Sequence, residues 1–195
     1  KNIIDEVSPN YTAIINQFYK ELLNSPFKKA LEKEYGKLIF NMAEVALKSF
    51  DESIIDDLVK ENKLTTRYDA LLASAKIKFK GKTYNLSGLS KFAQDNEKTT
   101  RAAATKAQTK WFESHLEELD DIYDQLVHVR HDMALKLGYK NFVELGYLRL
   151  GRVDYTAADV ANYRDQVYKY IVPITKKLFK RQAKRLNLRS MKFYD

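Results

Sequence analysis

Apolar residues recur along most of this chain at three- and four-residue intervals, the spacing of one face of an α-helix. Ser8 before Pro9 reads as an N-cap with proline at the first helical position. Tyr11, Ile14, Ile15, Phe18 and Leu22 then form one stripe that should end near Asn24. Ser25 and Pro26 repeat the start signal, and Phe27, Leu31, Leu38, Met42 and Val45 continue the stripe, with Gly36 a weak point. Two shorter helices are expected over 51–62 and 66–75, separated by the polar residues Asn62, Lys63, Thr65 and Thr66, which do not force a full break. Residues 97–137 contain neither glycine nor proline, so the pattern predicts one long helix ended by Gly138, with two bent helices as the alternative. Unbroken, that helix would span on the order of 60 Å at about 1.5 Å per residue. Asn141 caps a short helix through Leu150. Thr156 and Asp159 form a capping-box start for a final long helix running toward Leu186, bent by Pro173. Phe18, Phe40, Trp111 and Phe179 fall at helical spacing and are assigned to the core.

One interval changes period. Residues 76–86 alternate polar and apolar about Gly81, which predicts a small β-hairpin with Ile77, Phe79, Tyr84 and Leu86 on its buried face. A lone hairpin is marginal in water, so it must rest on helices. Ser87 and Ser90 are the expected caps of the short helix that follows, carrying Leu89 and Phe92.

Composition bounds the class further. With 195 residues, 45% hydrophobic and 12% aromatic, the chain can bury a substantial core as one or two domains. There is no cysteine, hence no disulfide and no thiolate metal site, a usage that fits a reducing cytoplasm. No apolar run approaches the roughly 20 residues of a membrane span, and the first ten residues lack a signal-peptide core. A cytoplasmic protein with no membrane partner is therefore expected. The chain opens on Lys1 rather than a methionine, so neither end is taken as natural.

The formal charge of +8 is concentrated. Residues 176–192 hold eight basic side chains and no acidic one; removing those eight from the 34 basic residues leaves 26, equal to the 26 acidic ones. Such a stripe attracts anions, but without aromatics spaced among basic loops it lacks the stacking platform of a single-strand binder. No nucleic-acid partner is expected.

Catalytic motifs are missing in an informative way. The chain has no G-x-x-x-x-G-K-[ST] loop, no G-x-G-x-x-G turn and no G-x-S-x-G elbow. His128 and His131 share a helical face, but no convincing third ligand stands near them, and His115 begins no H-E-x-x-H motif. No Glu-x-x-His pair supports a dimetal helical bundle. The polar cluster that remains is Tyr147, Arg149, Arg152, Asp154 and Tyr155, in the break between the last two helices. Arginines there could clamp a carboxylate and tyrosine hydroxyls could steady a tetrahedral intermediate; alternatively, Arg152 and Asp154 organise the turn while the tyrosines pack.

Two segments, AQTKWFESHLEELDDIYDQLVHVRHDMALKLGYKNFVELGYLRLGR and VDYTAADVANYRDQVYKYIVPITKKLFKRQAKRLNL, with the closing MKFYD, resemble the oligoendopeptidase F branch of the thimet-oligopeptidase-like zinc metallopeptidases. The resemblance is clear from about residue 99 onward and looser before it. It implies a mainly α fold: an elongated multi-helix N-terminal lobe with long helices and one small β-hairpin. It also implies a division into an N-terminal helical segment, 1–98, and a long-helix segment, 99–195, that leads into a C-terminal catalytic domain outside this chain. The implied parent activity is zinc-dependent hydrolysis of internal bonds in oligopeptides, with zinc and every catalytic residue held beyond this chain. Here the implied contribution is shape and size selection along a substrate channel, with Tyr147, Arg149, Arg152 and Tyr155 as candidate wall residues. A helical interaction module and, less favoured, a basic nucleic-acid binder are the alternatives.

Overall fold

A computed structural model describes residues 8–195, which are mainly helical with one two-stranded antiparallel hairpin. The side chains of residues 8–10 lie outside the described set, and with them the cap assigned to Ser8. The described residues belong to two compact units. One holds 8–70 and Glu118–Tyr155; the other holds Leu71–Glu117 and Thr156–Asp195.

In the first unit, α1 (Ser8–Asn24) packs on α3 (Leu38–Lys48), with α2 (Lys28–Tyr35) between them in sequence. Ser25 accepts a hydrogen bond from the Phe27 amide, so its start signal makes a turn before α2 begins. Gly36 closes α2, dividing the stripe expected to run on into α3. Asp51 caps a 3-10 turn, Glu52–Ile54, that leads directly into α4 (Ile55–Ala73). The two helices expected here are one: no glycine or proline interrupts 55–73, and Thr65 spends its hydroxyl on the carbonyls of Glu61 and Asn62 within the helix. Later in the chain come α7 (Leu116–Lys136) and α8 (Phe142–Arg149). Ile54, Met133, Ala134 and Leu145 are fully buried together, with Leu58, Leu137, Tyr139 and Phe142 packed around them. Tyr139 donates to the Lys48 carbonyl at 2.8 Å, which ties the end of α7 to the end of α3.

The second unit is built on the hairpin β1 (Ile77–Phe79) and β2 (Lys82–Tyr84), in which Ile77 opposes Tyr84 and Phe79 opposes Lys82. Lys80 and Gly81 both have positive φ, the geometry of a two-residue hairpin turn that follows strand twist. Lys80 is held there by a 2.9 Å bond to Thr100. Ile77, Phe79, Tyr84 and Leu86 share one face, as the alternation requires, and pack with Leu89 and Phe92 on Trp111 and Phe112. The cap of α5 (Leu86–Leu89) is Asn85, which accepts from the Gly88 amide at 2.7 Å, while Ser90 donates to the Ser87 carbonyl. Asn85 is the last extended residue and so faces the free amides, whereas Ser87 already lies within the helix.

The long helix expected over 97–137 is two, α6 (Lys98–Ser114) and α7, parted at His115. The break has a side-chain cause. Ser114 donates to the Trp111 carbonyl, and His115 Nδ1 lies 2.8 Å from the same oxygen while its ring stacks on the indole 4.3 Å away. These groups compete for a carbonyl that a continuing helix would use itself.

Thr156 opens α9 (Ala157–Gln166) with a full capping box: Asp159 receives the Thr156 amide at 2.8 Å and Thr156 receives the Asp159 amide at 3.3 Å. A π-helical turn, Val167–Ile171, joins α9 to α10 (Val172–Arg185). Proline at 173 has no N–H for the residue 169 carbonyl and its ring crowds that oxygen; the wider turn before it accommodates both effects. The bend assigned to Pro173 is thus preceded by a local change of helix type.

Helical periodicity misassigned two of the four aromatics placed in the core. Phe40 and Trp111 are buried, but Phe18 and Phe179 are 56% and 58% exposed. On α1, Tyr11, Ile14, Ile15 and Phe18 of the stripe face outward and Leu22 is half-buried, while among the described residues of the helix Asn16 is the buried one. Periodicity marks a face to be covered; it does not specify the surface that covers it.

Candidate functional site

Helix α8 carries Tyr147 and Arg149, and the turn and loop residues that follow it carry Arg152 and Tyr155. The helix starts where Asn141, extended, accepts the Val143 amide at 2.9 Å. It ends in a Schellman motif: the Gly151 amide donates to Leu148 and the Arg152 amide to Tyr147. Gly151 has φ +64, a left-handed conformation that costs other residues. The motif reverses the chain and carries Arg152 back over the helix it has just left.

There the Arg152 guanidinium lies 4.2 Å from the centre of the Tyr147 ring and 5.5 Å from that of Tyr155. A cation between two ring faces is attracted by both quadrupoles. Tyr147, Arg152 and Tyr155 therefore form one group. Among the described residues no ion pair joins Arg152 to Asp154, so the turn is organised by the backbone motif and the stacked cation.

Arg149 belongs elsewhere. It grips Glu61 of α4, Nη1 to Oε1 at 3.2 Å and Nη2 to Oε2 at 2.6 Å, and Arg130 Nε of α7 reaches the same Oε1 at 2.6 Å. Glu61 is 4% exposed. Burial raises its pKa, but the hydrogen bonds from Arg149 and then Arg130 outweigh it and hold the carboxyl below its ordinary value. Sequence reasoning missed Glu61, although a signal was present: with Ile54, Leu58 and Leu64 it lies on the apolar stripe of α4, where a carboxylate requires buried partners.

The three charged groups border a cavity of about 330 Å³, together with Phe142, Gly146 and Leu150. Both guanidiniums stand over the Phe142 ring, 5.7 Å for Arg130 and 5.8 Å for Arg149. At Gly146 a Cβ would lie 3.4 Å from the Phe142 ring, so glycine lets that ring approach the helix closely.

No metal centre forms from these parts. Among the described residues no three His, Cys, Asp or Glu side chains gather closely enough to hold an ion, so the zinc implied by the resemblance finds no seat on them. His128 is spent on its own helix, 2.8 Å from the Asp124 carbonyl. Among the described residues no helix is long and apolar enough to cross a membrane. The closing residues are anchored: Asp195 meets Lys98 at 2.6 Å, and Arg101 donates to the Tyr194 carbonyl at 2.6 Å.

The fold of this chain is shared with known peptidases. Residues 1–50 match the Peptidase M3 N-terminal domain. Over its whole length the chain is 44% identical to a structure described as an oligoendopeptidase F, with a TM-score of 0.95. It is 47% identical, with a TM-score of 0.94, to PZ peptidase A solved with an inhibitor, and equally to an oligoendopeptidase F structure from Bacillus anthracis strain Ames. No curated relative matches. The chain is an M3-peptidase N-terminal region of the oligoendopeptidase F type. It spans about a third of the length of those solved relatives, 34% to 36%.

Proposed function

We propose that this chain is the substrate-channel lobe of a zinc-dependent oligoendopeptidase, a longer protein that hydrolyses internal peptide bonds of oligopeptides. The observation that carries the reading is the 44–47% identity over the entire chain to structures described as oligoendopeptidase F and PZ peptidase A. In this reading zinc, which polarises the scissile carbonyl and water, is held outside this chain. The residues here bind, select and exclude.

The exposed apolar faces support the same reading, because Tyr11, Ile14, Ile15 and Phe18 on α1 and Ile174, Leu178 and Phe179 on α10 find no cover within the described residues. A catalytic domain continuing the chain is the partner they call for. Tyr147, Arg152 and Tyr155 are the wall residues in this account, since their stacked group is fixed by backbone geometry and Tyr155 is 46% exposed. Arg149, engaged by Glu61, supports that wall from behind.

The test is the double variant Arg152→Ala, Tyr155→Ala in the longer protein, with kcat/KM for an oligopeptide measured beside the unfolding midpoint. Loss of an oriented wall should cost on the order of tenfold or more in kcat/KM with the fold intact. Unchanged kinetics would remove these residues from the channel.

A further inference from the structure

The cavity beside Glu61 has more donors than its carboxylate can use. Each guanidinium carries five N–H groups. Glu61 takes one nitrogen of Arg130 and two of Arg149. Among the described residues, Arg130 Nη1 and Nη2 and Arg149 Nε have no hydrogen-bond acceptor, and both side chains remain partly open to solvent, at 36% and 28%. The charge is also unbalanced. Two arginines against one carboxylate leave one positive charge beside a cavity otherwise walled by Phe142, Gly146 and Leu150.

We infer that this cavity is a subsite for a carboxylate carried next to an apolar side chain. The two terminal nitrogens of Arg130 present the planar fork that receives a carboxylate bidentately. Glu61 holds Arg130 by Nε alone and so leaves both terminal nitrogens of a cavity-lining arginine without a bond to it. Phe142 and Leu150 accept the neighbouring apolar group, and about 330 Å³ accommodates one residue rather than a long segment. A single net charge favours a monoanion over a phosphate dianion. The subsite rests on the peptidase reading only for its natural source, a peptide; either the C-terminal carboxylate or an acidic side chain supplies the chemistry.

The probes are N-acetyl-leucine, N-acetyl-leucinamide and the α-amide of N-acetyl-glutamate, titrated calorimetrically into the native protein. At least one of the two acids should bind at least about tenfold more tightly than N-acetyl-leucinamide, because the amide cannot accept the charge-assisted pair. Preference for N-acetyl-leucine assigns the subsite to a chain terminus; preference for the glutamate probe assigns it to a side chain. Leu150→Trp fills the cavity from an exposed position while keeping both arginines and Glu61, and should abolish binding in a folded protein. Arg130→Lys keeps a cation for Glu61 but removes the fork, and should erase the preference for acid over amide. Equal binding of the acids and the amide, or undiminished binding to Leu150→Trp, overturns the subsite. Cleavage of an oligopeptide amidated at its C-terminus tests the peptidase reading separately: intact cleavage without probe binding overturns the subsite alone.

Discussion

Arg149 holds both oxygens of Glu61 although the two residues stand 88 positions apart. With Arg130 completing the group, α4, α7 and α8 converge on one carboxylate. Burying that charge is unfavourable in isolation, and its two partners make it tolerable. The cluster specifies how three helices meet beneath the cavity.

Glu61→Gln should destabilise the protein by about 3 kcal/mol, because it leaves two guanidiniums gathered without their anion. Urea denaturation followed by far-ultraviolet circular dichroism measures the loss. A change within about 0.5 kcal/mol would mean that the cluster is replaceable by neutral hydrogen bonding.

The same carboxylate makes stability depend on pH with a definite sign. Its pKa in the folded state lies below the ordinary 4.5, so the unfolded chain binds the proton more readily. The stabilisation is therefore complete above the ordinary value and is lost as pH falls through the folded one. Urea midpoints taken from about pH 6 down to about pH 3 should decline less steeply in Glu61→Gln than in the native protein. Parallel curves would show that Glu61 contributes nothing to acid unfolding.

Leu145→Ala removes a fully buried side chain from the cluster formed with Ile54 and Met133. The expected loss is about 3 kcal/mol, the sum of transfer and cavity terms. Chemical denaturation gives the value, and a loss below about 1 kcal/mol would mean that the helices collapse onto the gap.

Gly151→Ala places a Cβ on a left-handed residue, at φ +64, and should cost about 1 kcal/mol. The strain falls on the turn that carries Arg152 over Tyr147. The tyrosine ring resonances of residues 147 and 155 should shift in NMR spectra while those of Tyr84, in the other unit, stay in place. Unmoved rings at 147 and 155 would separate the stacked group from the turn.

Thr156→Ala deletes the hydroxyl of the capping box and should cost about 1 kcal/mol, fraying the first turn of α9. Hydrogen exchange at the amides of residues 158–160 should accelerate. Protection equal to that of the native protein would mean that Asp159 suffices as the cap.

Much of the fold was legible because its signals are local. Asn141 and the Thr156–Asp159 pair cap the helices they were expected to cap, and the period-two run around Gly81 folds as a hairpin with the expected face inward. Two helices over 97–137 stood as the alternative, but the place of the break, His115, was not legible, since it depends on two side chains reaching one carbonyl rather than on a helix breaker. Tyr147, Arg152 and Tyr155 lie within nine residues of one another, so their grouping was open to sequence reasoning. The partner of Arg149 was not, because only the tertiary fold brings Glu61 to it. Phe18 and Phe179 show the remaining limit: an apolar face is written into the sequence, but its cover belongs to whatever packs against it.

At 167–171 the Val172 amide bonds to Val167 rather than Tyr168, so one residue more than an α-turn needs is wound into the helix. Each residue advances the winding by about 100°. The azimuth at which Lys176, Lys180, Arg181 and Arg185 emerge is thereby set by a single count upstream of Pro173. Deleting one residue there would swing the entire cationic run around the axis by the same angle, leaving its composition untouched and its compass bearing changed.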